Sequence, residues 1–344
     1  MMSGTASRAR GALLGLAIGD ALGMPTQLMS REFVRDRYGL LDGFRDAPAE
    51  NPISRGMTAG RVTDDTDQTV ILGRLLVEGR DHVDPHAFAR DLLLWEQHMI
   101  DAGSADLLGP STRRALTLIS AGVSTDRTGR TGATNGAAMR IAPVGIAFRA
   151  DPLSRLVDAV AQAGHVTHNT TIANAGAAAV AAAVSTGVEG AGVAAALARS
   201  IEAATLGAWQ GHFVAGADVA ARIEWAVDLV SGRNIDDALD VIYRLVGTST
   251  ATQEAVPAAI AVCSLAPDDP WLVCRLAASL GGDCDTIAAI AGAIVGACHG
   301  IEGFPSVAID RLHAANPGLA LEALADDLLA LRDATSNRHA EASD

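Results

Sequence analysis

The stretch from Ile287 to Cys298 reads IAAIAGAIVGAC and is apolar on every side, as is residues 172–185. A helix with no polar face has to be enclosed by other elements, so both stretches read as central helices. The chain holds 35 glycines, with aromatic residues at only 3%. Small residues at that density let helix axes approach closely. They suit sheets poorly, because strands favour β-branched and aromatic side chains. Apolar residues recur at helical spacing in 66–79, 85–100, 112–121, 153–163, 217–230, 236–246, 254–266 and 318–332. Convincing period-two alternation is absent, and no Pro/Gly/Ser linker separates two cores. The sequence therefore predicts one all-α domain over 8–333, with 1–7 and 334–344 as polar, flexible termini. The Gly-rich segment 122–136 reads as a loop within that domain, of the kind that in a compact fold tends to carry function.

Two helices resemble each other. GALLGLAIGDALG near the start and AAIAGAIVGACHG near the end are both rich in small residues and lie beside aspartate clusters. Close helix packing accounts for the likeness without a duplication.

The 49% hydrophobic and 19% charged fractions describe an ordinary globule. A net charge of -14 argues against a nucleic-acid partner, since phosphate backbones need clustered Lys and Arg. An anionic substrate then has to be received locally, by metal ions, helix N-termini or a few arginines. Cys263, Cys274, Cys284 and Cys298 are too widely spaced for a zinc ribbon and suggest no disulfide scaffold. Arg8 and Arg10 precede the apolar ALLGLAI, but Asp20 follows at once and no A-x-A cleavage site appears. The run from Ile287 to Cys298 is too short to span a bilayer. A soluble, cytoplasmic protein without membrane contact is the expectation.

Chemistry concentrates in two acidic clusters far apart in the chain. Thr63-Asp64-Asp65-Thr66-Asp67-Gln68 and Gly281-Gly282-Asp283-Cys284-Asp285-Thr286 each lie directly before an apolar helix. Thr and Asp at a helix start ordinarily cap free amides, and the helix dipole favours their charge. One cap, however, needs one side chain, and each cluster offers at least two carboxylates. Asp283 and Asp285 converge only where the chain is still turning into its helix, a turn that Gly281-Gly282 permits. Carboxylates crowded at a partly buried site need countercharge. Oxygen donors without a Cys/His pattern suit a hard cation such as Mg²⁺ or Mn²⁺, and four carboxylates balance two divalent ions.

In order along the chain, GDALG at 19–23, TDDT at 63–66, NGAAMR at 135–140 and GGDCDT at 281–286 resemble the motif series of ADP-ribosylglycohydrolases. The similarity spans about residues 8–330, and resembles in particular a bacterial subgroup with GDALGMP, LGPST, TNGAAMR and a TH pair. The resemblance implies an orthogonal helical bundle with two Mg²⁺ or Mn²⁺ ions at its centre. Thr63, Asp64, Asp65, Asp283, Asp285 and Thr286 would hold the metals, with Asp64, Asp65 and Asp285 at the reacting centre. Substrate contacts would come from Asn135, Gly136, Met139, Arg140, His168 and Gln27. The glycines at 132 and 136 would let amides close around phosphate or ribose oxygens. A lone histidine at a helix start is otherwise a cap, and a Gly-rich loop otherwise a tight turn. Trp95, Trp209, Trp225 and Trp271 are core by default.

Two positions depart from the pattern. Gln27 stands where many members carry Glu, and Leu107 stands where the nitrogenase-reactivating type carries Asp, with Asp106 one position away. Three readings follow. The first is hydrolysis of ADP-ribose from an ADP-ribosylated protein or small molecule. The second is hydrolysis of a smaller N-riboside, a nucleoside or nucleotide, because both departures fall where the leaving group would sit. The third is a non-catalytic ADP-ribose or metal-binding protein.

Overall fold

Helices make up most of the described chain. A computed structural model describes residues 4–101 and 108–343, with side chains to 335, and among these there are three isolated bridges and no strand. Asp106 and Leu107 lie outside the described residues. The helices are α1 (Gly4–Gly23), α2 (Arg31–Tyr38), α3 (Asp64–Glu78), α4 (Pro85–Asp101), α5 (Pro110–Ser120) and α6 (Thr125–Thr128). Next come α7 (Gly136–Met139), α8 (Ala142–Ala147), α9 (Leu153–His168), α10 (Thr171–Val188), α11 (Val193–Gly207) and α12 (Val219–Val230). The last are α13 (Ile235–Val241, continued by a π-turn to Val246), α14 (Thr252–Leu265), α15 (Pro270–Ala278), α16 (Cys284–His299), α17 (Ser306–Ala315) and α18 (Leu321–Ser343).

Every periodic stretch falls on a helix. The ends differ most at α9, which runs on to His168, and at α18, which runs on to Ser343. The start differs too. α1 is already helical at Gly4, where the sequence suggests a flexible terminus, and Ser7 ties it down by donating to Glu302 and accepting from the Ile301 amide.

Glycines four apart place the two central helices. Gly11, Gly15, Gly19 and Gly23 line one face of α1. A Cβ on Gly15 would lie 2.2 Å from the Gly292 carbonyl oxygen, and one on Gly19 would lie 2.0 Å from that of Ala288. Gly11 meets Gly296, and Gly23 meets Asp285, so α1 and α16 run antiparallel at backbone contact. The small-residue likeness of the two helices is thus a packing match. Every residue of α16 from Cys284 to Cys298 is buried. It is enclosed by α1, α10, α14 and α15, and α18 closes over α1, α3 and α8.

α10 is, among the described residues, the one helix long and apolar enough to cross a membrane. Its apolar window is 89% buried in the bundle, as the core helix of a folded domain must be. All four cysteines are free and buried. Two tryptophans depart from the core expectation, Trp209, 85% exposed in the segment after α11, and Trp225, 38% exposed on α12.

Candidate active site

Both acidic clusters open helices, and neither caps its own. Thr63 and Asp283 hold the N-cap positions of α3 and α16 without a side-chain capping bond. The α3 start is capped from across the bundle by Asp20, whose carboxylate accepts from the amides of Thr63 (2.9 Å) and Thr66 (3.2 Å). At the other helix, Gly281 and Gly282 adopt left-handed φ of 79° and 70°. They thread the chain between Met29, whose carbonyl takes the Gly282 amide at 2.8 Å, and Thr248, whose carbonyl takes the Asp283 amide at 2.7 Å. Asp283 is then still outside the helix while Asp285 is in its first turn. Carboxylates two apart therefore face one space, as the glycine pair suggests.

That space is a cavity of about 180 Å³. Asp64, Asp283, Asp285 and Thr286 line it together with Gln27, Asn135, Gly136 and Met139. Thr63 and Asp65 sit directly behind, with Asp65 Oδ2 reached by the hydroxyls of Thr63 at 3.2 Å and Thr286 at 3.3 Å. Asn135 donates to Asp283 Oδ2 at 2.5 Å, and its own amide is spent on the Thr250 carbonyl. Asp67 belongs elsewhere, since it faces Trp95 Nε1 at 2.9 Å.

Arg140 and His168 do not reach the cavity wall. The Arg140 guanidinium, 1% exposed, lies over the Phe88 ring and donates to Gln68 Oε1 (2.6 Å) and Thr167 Oγ1 (2.5 Å). Gln68 passes the contact on, donating to Asp64 Oδ2 at 2.9 Å. Arg140 thus orients a carboxylate from behind the site. On its other side, Thr167 faces His168 Nδ1 at 2.7 Å, and His168 Nε2 faces Thr134 Oγ1 at 2.9 Å. An arginine only donates, so the buried Thr167 proton turns to Nδ1, and Nε2–H donates to Thr134. The Thr134 hydroxyl proton is left for the cavity, which Thr134 lines. The glycines of this loop serve close packing. A Cβ on Gly132 would lie 2.0 Å from the Thr167 carbonyl oxygen, and one on Gly136 would strike the His168 ring.

Burial dominates the electrostatics. It raises Asp64, Asp65 and Asp285 well above the usual carboxylate range, reinforced by Asp285 at Asp64, by Asp20 at Asp65 and by Asp283 at Asp285. Asp283 is raised by burial as well, against the Asn135 bond that favours its charge. Asp20 rises to about 6 for the same reason, although Thr66 and Thr63 donate to it. Burial pushes Arg140 down to about 10 and His168 well below its ordinary value.

Among the described residues, no three Asp, Glu, His or Cys side chains close on one point as a finished ligand set. The donor set nonetheless suits a hard cation, being made of carboxylate and hydroxyl oxygens alone. Asp65 Oδ1 and Asp285 Oδ1 are buried without any hydrogen-bond donor. Orphaned anionic oxygens facing a shared carboxylate cluster are costly unless a cation meets them.

The family profile described as ADP-ribosylglycohydrolase matches residues 1–338. The chain belongs to the ADP-ribosylglycohydrolase family. It is 37% identical over 313 residues to an uncharacterized Escherichia coli (strain K12) protein, YegU, covering 90% of this chain and 92% of that one. It is 28% identical over 319 residues to the ADP-ribosyl-(dinitrogen reductase) glycohydrolase of Rhodospirillum rubrum, covering 89% and 90%. A solved ADP-ribosylglycohydrolase-related protein complex superposes with a TM-score of 0.65 at 25% identity, over 96% of this chain and 100% of the other. Members of the family hydrolyse glycosidic bonds, and this ADP-ribosylglycohydrolase is an enzyme of that kind.

Two residues of this glycohydrolase's site carry little sequence signal. Gln68 and Thr134 are ordinary polar residues whose partners Arg140 and His168 lie 72 and 34 residues along the chain. Asp20 had a signal, as a lone acid in an otherwise apolar run. Gln27 is held by Ser54, to whose hydroxyl its side-chain amide donates. Asn51 fixes that pairing, donating to the Gln27 carbonyl at 3.1 Å and accepting from the Ser54 amide at 2.7 Å.

Proposed function

We propose that this protein cleaves the bond between the anomeric carbon of a ribose and its substituent in ADP-ribosylated substrates, using a water activated at a two-cation carboxylate site. The observation that carries the reading is the meeting of two acidic clusters, neither spent on capping its helix, on one cavity. The family's general dependence on metal supports it. Thr63, Asp64, Asp65, Asp283, Asp285 and Thr286 would hold two Mg²⁺ or Mn²⁺ ions. Bound there, the ions would neutralise the carboxylates and supply Lewis acidity toward water and ribose hydroxyls.

The chain's own groups do the rest. At about 180 Å³ the cavity is smaller than the roughly 300 Å³ of a drug-sized ligand site, which suits one sugar with the remainder of the substrate outside. Asn135 and Gln68 fix Asp283 and Asp64 in place, and Thr134 offers a donor to a substrate oxygen. Asp64 and Asp285 present carboxylate oxygens to the cavity and, with Asp65 behind them, offer a site for the proton of the attacking water. The water oxygen bonds to the anomeric carbon, the old bond breaks, and the leaving group departs with a proton.

Cavity size and the amide at position 27 also favour a second reading, a smaller N-riboside such as a nucleoside. A metal-supplemented screen of ADP-ribosyl-arginine, ADP-ribosyl-serine, ADP-ribose derivatives and free nucleosides separates the two, reading released ribose-containing product. Asp285→Ala should abolish nearly all turnover and weaken Mn²⁺ binding while leaving the fold in place. Full turnover in thorough chelator would falsify the mechanism.

A further inference from the structure

The most heavily hydrogen-bonded acid beside the cavity is one that does not line it. Asp20, on α1, is fully buried and collects every donor that the start of α3 offers toward it. The Thr63 amide lies 3.1 Å from Oδ1 and 2.9 Å from Oδ2, and the Thr63 hydroxyl 2.8 Å from Oδ1. The Thr66 amide and hydroxyl reach Oδ2 at 3.2 and 2.5 Å. We propose that Asp20 is a positioning residue that makes Thr63 a metal ligand. It takes the hydroxyl proton of Thr63 and the amides of Thr63 and Thr66, so that the Thr63 lone pairs and the carboxylates of Asp64 and Asp65 stay available. This inference rests on the two-cation reading of the site.

The proton count supports it. The Thr63 hydroxyl has one proton and two acceptors in reach, Asp20 Oδ1 at 2.8 Å and Asp65 Oδ2 at 3.2 Å. Thr286 already offers a proton to the same Asp65 oxygen at 3.3 Å. With its proton on Asp20, the Thr63 oxygen turns its lone pairs toward the Asp65 side, where Oδ1 has no donor. A hydroxyl can meet a cation only in that orientation. Only a carboxylate fills the role, because every neighbour donates. An asparagine would bring an NH₂ against some of those donors.

The placement is also rigid. Gly19 and Gly23 flank Asp20 and press the α1 backbone against Ala288 and Asp285 of α16. Asp20 therefore holds the start of α3 at a set distance from the helix that carries the second cluster.

Asp20→Asn tests this in the full-length protein, with Mn²⁺ as the probe. Mn²⁺ affinity should fall by about 10–100-fold, the range that partners of metal ligands command. At saturating Mn²⁺, kcat on the substrate found by the screen should stay reduced while KM changes little. Thr66→Val removes a different Asp20 contact. It should lower thermal stability and leave Mn²⁺ affinity unchanged. If Asp20→Asn loses stability but binds Mn²⁺ like the wild type, Asp20 is a distant cap and the proposal is overturned. Should Asp20→Asn not fold, Thr63→Val decides, since it keeps the amide bonds to Asp20 and replaces only the hydroxyl with a methyl. The same loss of affinity supports the proposal, and unchanged affinity overturns it. A wild-type protein that binds no Mn²⁺ would instead defeat the two-cation reading, and this inference with it.

Discussion

Gln27 lines the cavity within the frame set by Ser54 and Asn51, at the position where the family resemblance implies a glutamate. Its amide donates to the Ser54 hydroxyl, and a hydroxyl can both donate and accept. Gln27→Glu would therefore invert that bond without orphaning either partner, and the two side chains are nearly isosteric. The added carboxylate should tighten Mn²⁺ binding by about tenfold, the order that groups around a metal site supply. Activity toward ADP-ribosylated side chains should rise with it. If the natural substrate is a smaller riboside, that activity should stay flat or fall. Both proteins are assayed on both substrate classes at saturating metal. Identical profiles would show that position 27 lies outside the reacting shell.

Among the elements, the α1–α16 pair sets the geometry of the site, because Asp20 and Asp285 sit at its adjoining ends. Backbone contact leaves no room for a side chain between them. The Cβ of Gly19→Ala would lie 2.0 Å from the Ala288 carbonyl oxygen, and a main chain cannot swing aside as a flexible side chain can. The helices have to separate, at about 1–3 kcal/mol for overpacking. The expected result is a lower thermal midpoint together with weaker Mn²⁺ binding. Gly39→Ala is the contrasting case, because a Cβ there meets nothing within 4 Å although its φ is +62°. It should cost stability through backbone strain alone and leave Mn²⁺ affinity intact. Equal effects of the two substitutions on affinity would show that the packing of α1 on α16 does not set the site.

Across the whole molecule, the buried carboxylates link stability to pH and to metal. Asp64, Asp65 and Asp285 bind protons more tightly folded than unfolded, mainly through burial. Asp20 does so up to about 6, against an ordinary 3.8. In chelator their contribution is greatest below the unfolded value and is lost as pH rises through the folded ones. His168 works oppositely, since burial depresses it, so its penalty on the folded state fades toward its ordinary 6.5. A cation competes with protons for the carboxylates and leaves His168 untouched. The gain in thermal midpoint on adding Mn²⁺ should therefore grow as pH rises from about 5 to about 8. At a hundredfold excess over Kd, one bound ion should add about 2.7 kcal/mol of stability. A gain that is independent of pH would mean that these carboxylates do not meet the ion.

Much of this architecture was legible before any coordinates, for local reasons. Helical periodicity and all-round apolar runs are properties of ten to eighteen neighbouring residues. So is an acidic cluster at a helix start, and Gly281-Gly282 announced its own turn. What packing alone decided is direction. Arg140 looked like an anion partner, yet the four-residue α7 has no periodicity from which to read its facing, and the bundle turns the guanidinium inward to Gln68 and Thr167. Trp209 was taken for core and stands in solvent. Asp20 meets its donors 43 and 46 residues along the chain, a pairing set by how closely α1 approaches its neighbours. Local sequence specifies which groups exist and which element carries them. Where a side chain points is settled by contacts summed over distant segments, and in this protein that sum is governed by glycine against backbone.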